Sequence, residues 1–279
     1  MTVAIGVLAD GGSTIIIGSD LRATFPNLRP HELTGKAWKL PKPFNCGVAA
    51  AGILRDCQPF VDHLWAALRL LGKLETIPND FIEAAIDDSR LRVLRRRSDW
   101  AMRKKYRITL AQWHCGKVPG GKLDPLLLKA GEVLLEGVKF QAQSIIAGFI
   151  RGRSIFYKTD FMNDVECSSS PGIYAIGIGA PLAMNHLNKR EQNTGCSLAR
   201  SLLHVAEALD AARKDPSGMV GKPSRFLVLA EDGSTAEFLP DHPTLLGWKK
   251  AYARRKDTWS LQNCKIADVQ AKGMARRSD

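Results

Sequence analysis

Three residues near the start of the chain could together perform nucleophilic catalysis: Thr2, Asp20 and Lys36. Removal of Met1 would give Thr2 a free α-amine beside its hydroxyl, so that one residue would supply both a nucleophile and its general base. A lysine beside that hydroxyl would lower the pKa of the hydroxyl by electrostatic attraction, and an aspartate would fix the position and charge of the lysine. Each residue alone fits an ordinary structural role equally well, as a turn residue or a surface charge.

The composition is that of an ordinary globular protein. The chain has 279 residues, of which 45% are hydrophobic, and can bury a sizeable core as one large domain or two small ones. It contains no apolar run long enough to span a membrane and no secretory pattern at its start, so we expect a cytoplasmic protein without membrane contact. The six cysteines form no C-x-x-C pair and have no histidines at zinc spacing. They are expected to be reduced thiols, mostly in the core, and no metal or cofactor is implied.

The formal charge of +12 is concentrated in two segments, from Arg90 to Arg107 and from Lys249 to Asp279, and the remainder of the chain is slightly acidic. Such clusters could form a nucleic-acid-binding surface. No known nucleic-acid-binding motif accompanies them, and Trp100 and Tyr106 are too few to form a stacking platform. A solvated helix face and a basic tail are therefore the favoured interpretation, and nucleic acid is not an expected partner.

β-prone runs and helical periodicities follow one another in a definite order. We expect strand pairs at 2–19, with a turn at 10–13, and at 37–52; helices at 60–71 and 81–94; strands at 144–150 and 172–178; helices at 182–187 and 197–213; and a last strand pair at 225–239. Strands that alternate with pairs of helices suit two antiparallel sheets stacked face to face, with helices on both outer faces. The expected fold is therefore α+β, a four-layer αββα sandwich.

Several short motifs occur in the order found in one protein family. They are Gly18-Ser-Asp-Leu-Arg-Ala-Thr24, Lys36-Ala-Trp-Lys-Leu40, Ala51-Gly-Ile-Leu-Arg-Asp56, Ala147-Gly-Phe149, Tyr174-Ala-Ile-Gly-Ile-Gly179 and Lys214-Asp-Pro-Ser-Gly218. With these motifs, from residue 2 to residue 239, the chain resembles proteasome-type β subunits of the N-terminal nucleophile (Ntn) hydrolase superfamily, whose bacterial members include HslV and Anbu. The separation of Asp20 from Lys36 is the one this family uses.

The resemblance implies a threonine-type peptidase with a defined set of site residues. Thr2 would be the nucleophile, with Asp20 and Lys36 beside it and the backbone N–H of Gly52 as oxyanion donor. The remaining implied roles are support of the Thr2 amine by Asp215 and Ser217, lining of the substrate pocket by Ala50 and Leu54, and strand-like pairing of substrate with the backbone of Thr24. The implied substrate is a peptide or an unfolded protein, which would be cleaved inside a homo-oligomeric ring or helical assembly. Whether an unfoldase acts as a partner is left open.

Three features distinguish the chain from the family pattern. Asp215 and Ser217 are separated by the single residue Pro216, where the family usually has two residues. Gly177-Ile178-Gly179 stands where the family has Gly-Ser-Gly, so a hydroxyl near the nucleophile's amine is replaced by an apolar side chain. The register of Thr2 has two solutions. If Val3 and the residues after it are aligned with the first strand of the family, Thr2 falls two places after the nucleophile position. If the two extra residues lie instead in the 10–13 turn, Thr2 occupies the nucleophile position, and each side chain still points to the same face of the sheet.

The sequence therefore predicts one Ntn-hydrolase domain over 1–239, with an insertion at 107–142, followed by a basic extension over 240–279. The insertion contains the Gly-rich stretch 116–121 and an amphipathic stretch over 126–138. Two alternatives to a peptidase remain open. One is a catalytically inactive homologue that serves assembly or binding, and the other is an Ntn amidohydrolase that acts on a small amide.

Overall fold

The computed structural model describes residues 3–20, 36–40, 45–71, 80–150, 152–160, 165–167, 172–214, 216, 220–221 and 224–238. The chain divides into two compact units. The first combines the chain up to Ile53 with the chain from Ala142 onward, and the second runs from Leu54 to Gln141. Among the described helices, none has the length and hydrophobicity that crossing a bilayer requires.

The predicted strands and helices occur in the predicted order, with further elements among them that the sequence did not predict. In chain order they are β1 (Val3–Ala9), β2 (Thr14–Asp20), β3 (Ala37–Lys39), β4 (Asn45–Gly52), α1 (Leu54–Leu71), α2 (Asp80–Tyr106), α3 (Leu110–Cys115), β5 (Lys117–Val118), β6 (Gly121–Lys122), α4 (Pro125–Glu136), β7 (Ala142–Ile150), β8 (Arg153–Thr159), β9 (Val165–Cys167), β10 (Ile173–Gly177), α5 (Ala180–Lys189), α6 (Leu198–Ala212), β11 (Ser224–Ala230) and β12 (Thr235–Phe238).

The first unit contains two antiparallel five-stranded sheets. The first sheet has the order β10-β1-β2-β11-β12, and the second has the order β3-β4-β7-β8-β9. β1 and β2 form the predicted hairpin, and their connection turns through left-handed backbone at Asp10, Gly11 and Gly12 (φ 51°, 71° and 93°), where glycine is favoured. Every residue of β1 and β2 is buried, because these central strands are covered on both faces.

The two sheets stack through a layer in which large side chains meet small ones. From the first sheet, the layer receives Leu8, Ile15, Ile17, Leu227 and Leu229. The second sheet contributes alanines of β4 and β7 beside Ile145, Phe149 and Phe156. A Cβ atom added to Gly47 of β4 would lie 2.6 Å from Leu227 Cδ2 and 2.9 Å from Ile17 Cδ1. The small residues of β4 thus allow the sheets to approach closely.

α5 and α6 cover the opposite face of the first sheet. Alternate residues of β1, including Val3 and Ile5, pack with Leu202, Val205 and Leu209 of α6 in a second apolar cluster. The N-terminus of α6 is tied to the β1–β2 turn, since Leu198 N donates to Asp10 Oδ1 at 3.1 Å. The α+β class with two stacked antiparallel sheets is therefore confirmed.

A buried polar network crosses the α5–α6 side of this unit. Nε2 of Gln192 donates to Ser201 Oγ and to the carbonyl of Asn193, both at 3.0 Å. Oε1 of Gln192 therefore accepts, at 2.8 Å, from the Nδ1–H of His204. His204 is only 5% exposed. Burial, assisted by the nearby Arg200, lowers the pKa of His204 from 6.5 to about 4, so the imidazole is neutral at physiological pH.

Stability is expected to fall in acid because of His204. Below pH 6.5 the unfolded chain binds a proton at this side chain whereas the folded chain does not, so the free energy of unfolding decreases until the pH reaches about 4. The total loss is up to about 3 kcal/mol. Urea unfolding of the wild type and of a His204→Leu variant between pH 7 and pH 4 measures it. Equal pH slopes for the two proteins would contradict the prediction.

The second unit is helical. α1 and α2 pack against each other, and α2 extends to Tyr106, twelve residues beyond the predicted end at Leu94. Near the start of α1, Asp56 is fully buried and accepts from Arg97 Nη1 at 2.7 Å and from the backbone N of Gln141 at 3.0 Å. These bonds join the two ends of the unit to the middle of α2.

The predicted 107–142 insertion contains α3, the small β5–β6 hairpin and α4. Thr109 and Gln112 form a reciprocal capping box at the start of α3. Trp113 of α3 packs directly on Gly131 of α4, where a side chain would overlap the indole, and its Nε1 donates to the carbonyl of Leu128 at 3.2 Å. Met102 of α2 completes this apolar cluster. The amphipathic stretch is therefore the helix α4.

No disulfide joins any two of the five described cysteines. Cys46, Cys57 and Cys196 are buried, whereas Cys115 and Cys167 are exposed. Burial raises the pKa of Cys46 to about 12, so this thiol is protonated and unreactive at neutral pH. Cys264 and the whole predicted basic extension 240–279 lie outside the described residues.

Candidate active site

Asp20 is the last residue of β2 and is almost completely buried, with 1% exposure. Both of its carboxylate oxygens accept from Lys36 Nζ at 3.1 Å. Two backbone groups also donate to it: Val3 N to Oδ1 and Gly221 N to Oδ2, each at 3.0 Å. A carboxylate that accepts from an ammonium and from two backbone N–H groups is held in one orientation.

Lys36 lies immediately before β3, and its side chain reaches from the second sheet to the first. It is 8% exposed. Its carbonyl accepts from Ala50 N at 2.9 Å, which fixes its backbone to β4, while its ammonium lies at Asp20. The ion pair therefore joins the two sheets at one end of their interface, and neither charge could be buried there without the other.

Gly52 ends β4 opposite Ala142 and is exposed to solvent. Its φ of 139° lies in a region that other residues adopt only with strain, so the chain can bend there only with glycine. Ala50, two residues earlier, is buried with 2% exposure. Leu54 is the first residue of α1 in the second unit and is 38% exposed.

The Gly177–Gly179 segment lies beside the start of β1. Gly177 is paired with Val3 in the first sheet and has a left-handed φ of 89°. Ile178, which follows it, packs with the apolar cluster under α5 and α6. A Cβ atom added to Gly179 would lie 3.2 Å from Val3 Cβ and 2.9 Å from Ala212 Cβ. This segment therefore offers Val3 a close apolar contact rather than a hydroxyl.

Gln143 is a polar residue at this site that the sequence argument missed. It lies on β7 opposite Ala51 of β4, and its Oε1 accepts from Gly177 N at 2.8 Å. The bond connects the second sheet to the segment beside Val3. The available signal was a single amide side chain near the start of a strand that is apolar from Ile145 onward.

Some of the predicted site residues are in contact with one another, and others are not among the described residues. Asp20 and Lys36 are in direct contact, and the backbone of Ala50 is bonded to that of Lys36. Thr2, Thr24, Asp215 and Ser217 lie outside the described residues. Within the described part of the chain, no three His, Cys, Asp or Glu side chains are grouped so that they could hold a metal ion.

No protein-family model matches the sequence, and no curated protein does. The fold, in contrast, is similar to solved structures of Anbu, described for the protein of Yersinia bercovieri as an ancestral β subunit. That structure gives a TM-score of 0.61 at 14% identity, covering 93% of this chain and 100% of the other. A Gly-1 mutant of Anbu from Hyphomicrobium sp. strain MC1 gives 0.60 at 14% identity, covering 94% and 100%.

A third structure is the helical assembly of the Anbu complex from Pseudomonas aeruginosa, with a TM-score of 0.62 at 13% identity and coverage of 91% and 93% of the two chains. The similarity extends over nearly the full length of all three proteins. The chain therefore has the proteasome-like fold of Anbu.

Proposed function

We propose that this chain is a proteasome-like Ntn hydrolase that cleaves peptide bonds with Thr2, after removal of Met1. The observation that carries the proposal is the buried Lys36–Asp20 pair, whose carboxylate also binds Val3 N at 3.0 Å. A buried ion pair is costly to maintain unless it is well bonded or has a function. This pair lies directly beside the residue that follows Thr2 in the sequence.

Chain continuity favours one of the two registers for Thr2. The nitrogen of Val3 is bonded to the carbonyl carbon of Thr2, and consecutive Cα atoms are only about 3.8 Å apart. Because Val3 N donates to Asp20 Oδ1, we infer that the preceding residue, Thr2, takes the nucleophile position next to Lys36. We therefore favour the register in which the extra residues are absorbed in the 10–13 turn.

In the proposed mechanism, the free amine of Thr2 takes the proton of the Thr2 hydroxyl while Oγ attacks the substrate carbonyl. The Lys36 ammonium stabilises the developing alkoxide, and Gly52 N–H would donate to the oxyanion. Collapse of the tetrahedral intermediate breaks the C–N bond, and the leaving amine takes a proton from the Thr2 ammonium. Water activated by the amine then hydrolyses the Thr2 ester and regenerates the hydroxyl.

The other predicted residues would surround this centre. Asp215 and Ser217 would hold the Thr2 amine, the backbone of Thr24 would pair with an extended substrate, and Ala50 and Leu54 would line the pocket for its side chain. The structure from Pseudomonas aeruginosa is described as a helical assembly. By analogy, we propose that this chain forms a homo-oligomer that confines its sites and acts on extended peptides in the cytoplasm.

Intact mass spectrometry of the purified protein tests the nucleophile. Incubation with a peptide epoxyketone, which bridges an N-terminal hydroxyl and amine, is expected to give one adduct per chain on a protein that has lost Met1. A Thr2→Ser variant should react and a Thr2→Ala variant should not, with peptidase activity falling at least about a thousandfold in the latter. Undiminished activity of Thr2→Ala would eliminate Thr2 as the nucleophile.

A catalytically inactive homologue is the second candidate, and Ile178 is the observation that favours it. Its side chain supplies no hydroxyl to a nucleophile's amine and packs in the apolar cluster instead. Retained Met1 on a folded, assembled protein would support this candidate. An adduct without cleavage of any peptide would instead favour a small-amide hydrolase.

A further inference from the structure

One exposed stripe of α2 is symmetric about its middle residue. The stripe consists of Ala84, Asp87, Leu91, Arg95 and Ser98. Leu91 is 50% exposed although it is a large apolar residue, and the Asp87 side chain is 56% exposed. Ala84 and Arg95 are also exposed, and Ser98 is partly exposed. Residues four and seven positions apart lie on the same side of an α-helix, so these five side chains form a single line.

The charges along this stripe are arranged for self-recognition. Asp87 lies four residues before Leu91 and Arg95 four residues after it, while the small residues Ala84 and Ser98 lie seven residues before and after. Rotation by a two-fold axis through Leu91 would exchange Asp87 with Arg95. A second α2 in antiparallel orientation would therefore meet opposite charges at both positions and small side chains beyond them.

We propose that α2 packs antiparallel against α2 of a second copy of this chain, about a two-fold axis at Leu91. The two Leu91 side chains contact each other at the axis, and two equivalent Asp87–Arg95 ion pairs lie on either side. Ala84 and Ser98 then allow the helices to approach closely. Because the contact is isologous, one stripe supplies both halves of the interface.

Existing ion pairs leave these charges available. Along α2, ion pairs join Arg90 to Asp87, Arg92 to Asp88 and Arg103 to Asp99. In the described part of the chain, no carboxylate lies within ion-pair distance of Arg95. The Asp87–Arg90 contact is long, at 3.3 Å, and leaves most of the Asp87 side chain in solvent.

The ends of the helix extend the same complementarity. Asp80 and Glu83 stand near its start, and Arg103, Lys104 and Lys105 stand near its end. Antiparallel pairing of two α2 helices brings the acidic half of one toward the basic half of the other. A parallel contact would oppose like charges along the whole length, so the antiparallel arrangement is selected.

Two charge reversals test this contact by complementation. In Arg95→Glu, two carboxylates face each other at both symmetric positions, and in Asp87→Lys two cations do. Each variant alone is therefore expected to self-associate at least about tenfold more weakly than the wild type. In an equimolar mixture the two variants restore both pairs, and association should recover. Arg96→Glu is the matched control, because it makes the same charge change one residue off the stripe. Sedimentation velocity over a concentration series of the full-length chain measures the self-association of the wild type, the three variants and the mixture.

The proposal is overturned if the wild type stays monomeric at all concentrations, if Arg95→Glu behaves like Arg96→Glu, or if the mixture fails to recover. A lower melting temperature of Arg95→Glu with unchanged sedimentation also overturns it, because the stripe would then contact another segment of the same chain. Should Asp87→Lys fail to fold through its contact with Arg90, Leu91→Glu places two carboxylates at the axis and must weaken association by itself. The contact does not depend on Thr2 chemistry, so adduct formation and self-association can fail separately.

Discussion

A Lys36→Met variant is expected to lose epoxyketone modification at Thr2 and about 3 kcal/mol of stability. The substitution keeps the length and apolar stem of the side chain but removes the ammonium that both oxygens of Asp20 contact at 3.1 Å. It leaves Asp20, which is 1% exposed, with an uncompensated charge. It also removes the positive charge proposed to stabilise the Thr2 alkoxide. Intact mass measures the first effect and urea unfolding the second.

The double variant Asp20→Asn/Lys36→Met separates the two effects. Without either charge, the site no longer holds an unpaired carboxylate, and the introduced amide oxygen can still accept from Val3 N. Most of the lost stability should therefore return, whereas adduct formation should not. A single Lys36→Met variant that reacts with the epoxyketone at the wild-type rate would show that Lys36 has no part in activating the nucleophile.

A Gly148→Ala variant is expected to lose more than about 3 kcal/mol of stability, or to fail to fold. Gly148 lies in β7 opposite Cys46 of β4, in the middle of the second sheet. A Cβ atom there would overlap the carbonyl oxygen of Asn45 and the Cα atom of Cys46. Because these are backbone atoms, a change of rotamer cannot relieve the overlap, and the two strands would have to separate. Urea unfolding of the purified variant measures the loss.

Gly137→Ala provides the matched control for this prediction. Gly137 follows α4 with an ordinary helical φ of −77°, and the nearest atom to an added Cβ is Leu134 O at 3.4 Å. Its stability should stay within about 1 kcal/mol of the wild type, because the stiffer unfolded chain offsets the cost of this one tight contact. A Gly148→Ala protein as stable as Gly137→Ala would mean that β4 and β7 adjust without cost.

Local patterns were sufficient to predict most of the fold. The β1–β2 hairpin, the β3–β4 pair and helices α5 and α6 were all predicted within a few residues, because each has a strong period and a clear turn. β8 and β9 were missed. β9 has only three residues, all at least partly exposed, and so carries no pattern. β8 does contain the apolar run 155–157, which is buried throughout and therefore does not alternate.

The candidate site was predictable only in part, because its residues meet through tertiary contacts. Spacing and family resemblance predicted Asp20 and Lys36, and the structure places them in contact. Gln143 and Gly221 act through single hydrogen bonds to residues far away in the chain, at Gly177 N and Asp20 Oδ2. Sequence patterns record periodicity and local chemistry, and neither reveals a bond between an amide on one sheet and a backbone N–H on another.

Large side chains of the first sheet face small residues of β4 in the second sheet, and this difference in size also restricts which substitutions the sequence can accept during evolution. The side-chain ends of Leu227 and Ile17 occupy the space in front of Gly47, so a larger residue at Gly47 requires these side chains to shift or to become smaller. A smaller residue in β11 or β2 therefore makes a later enlargement of β4 easier. Substitutions in this layer should therefore accumulate as ordered pairs across the two sheets, rather than one position at a time.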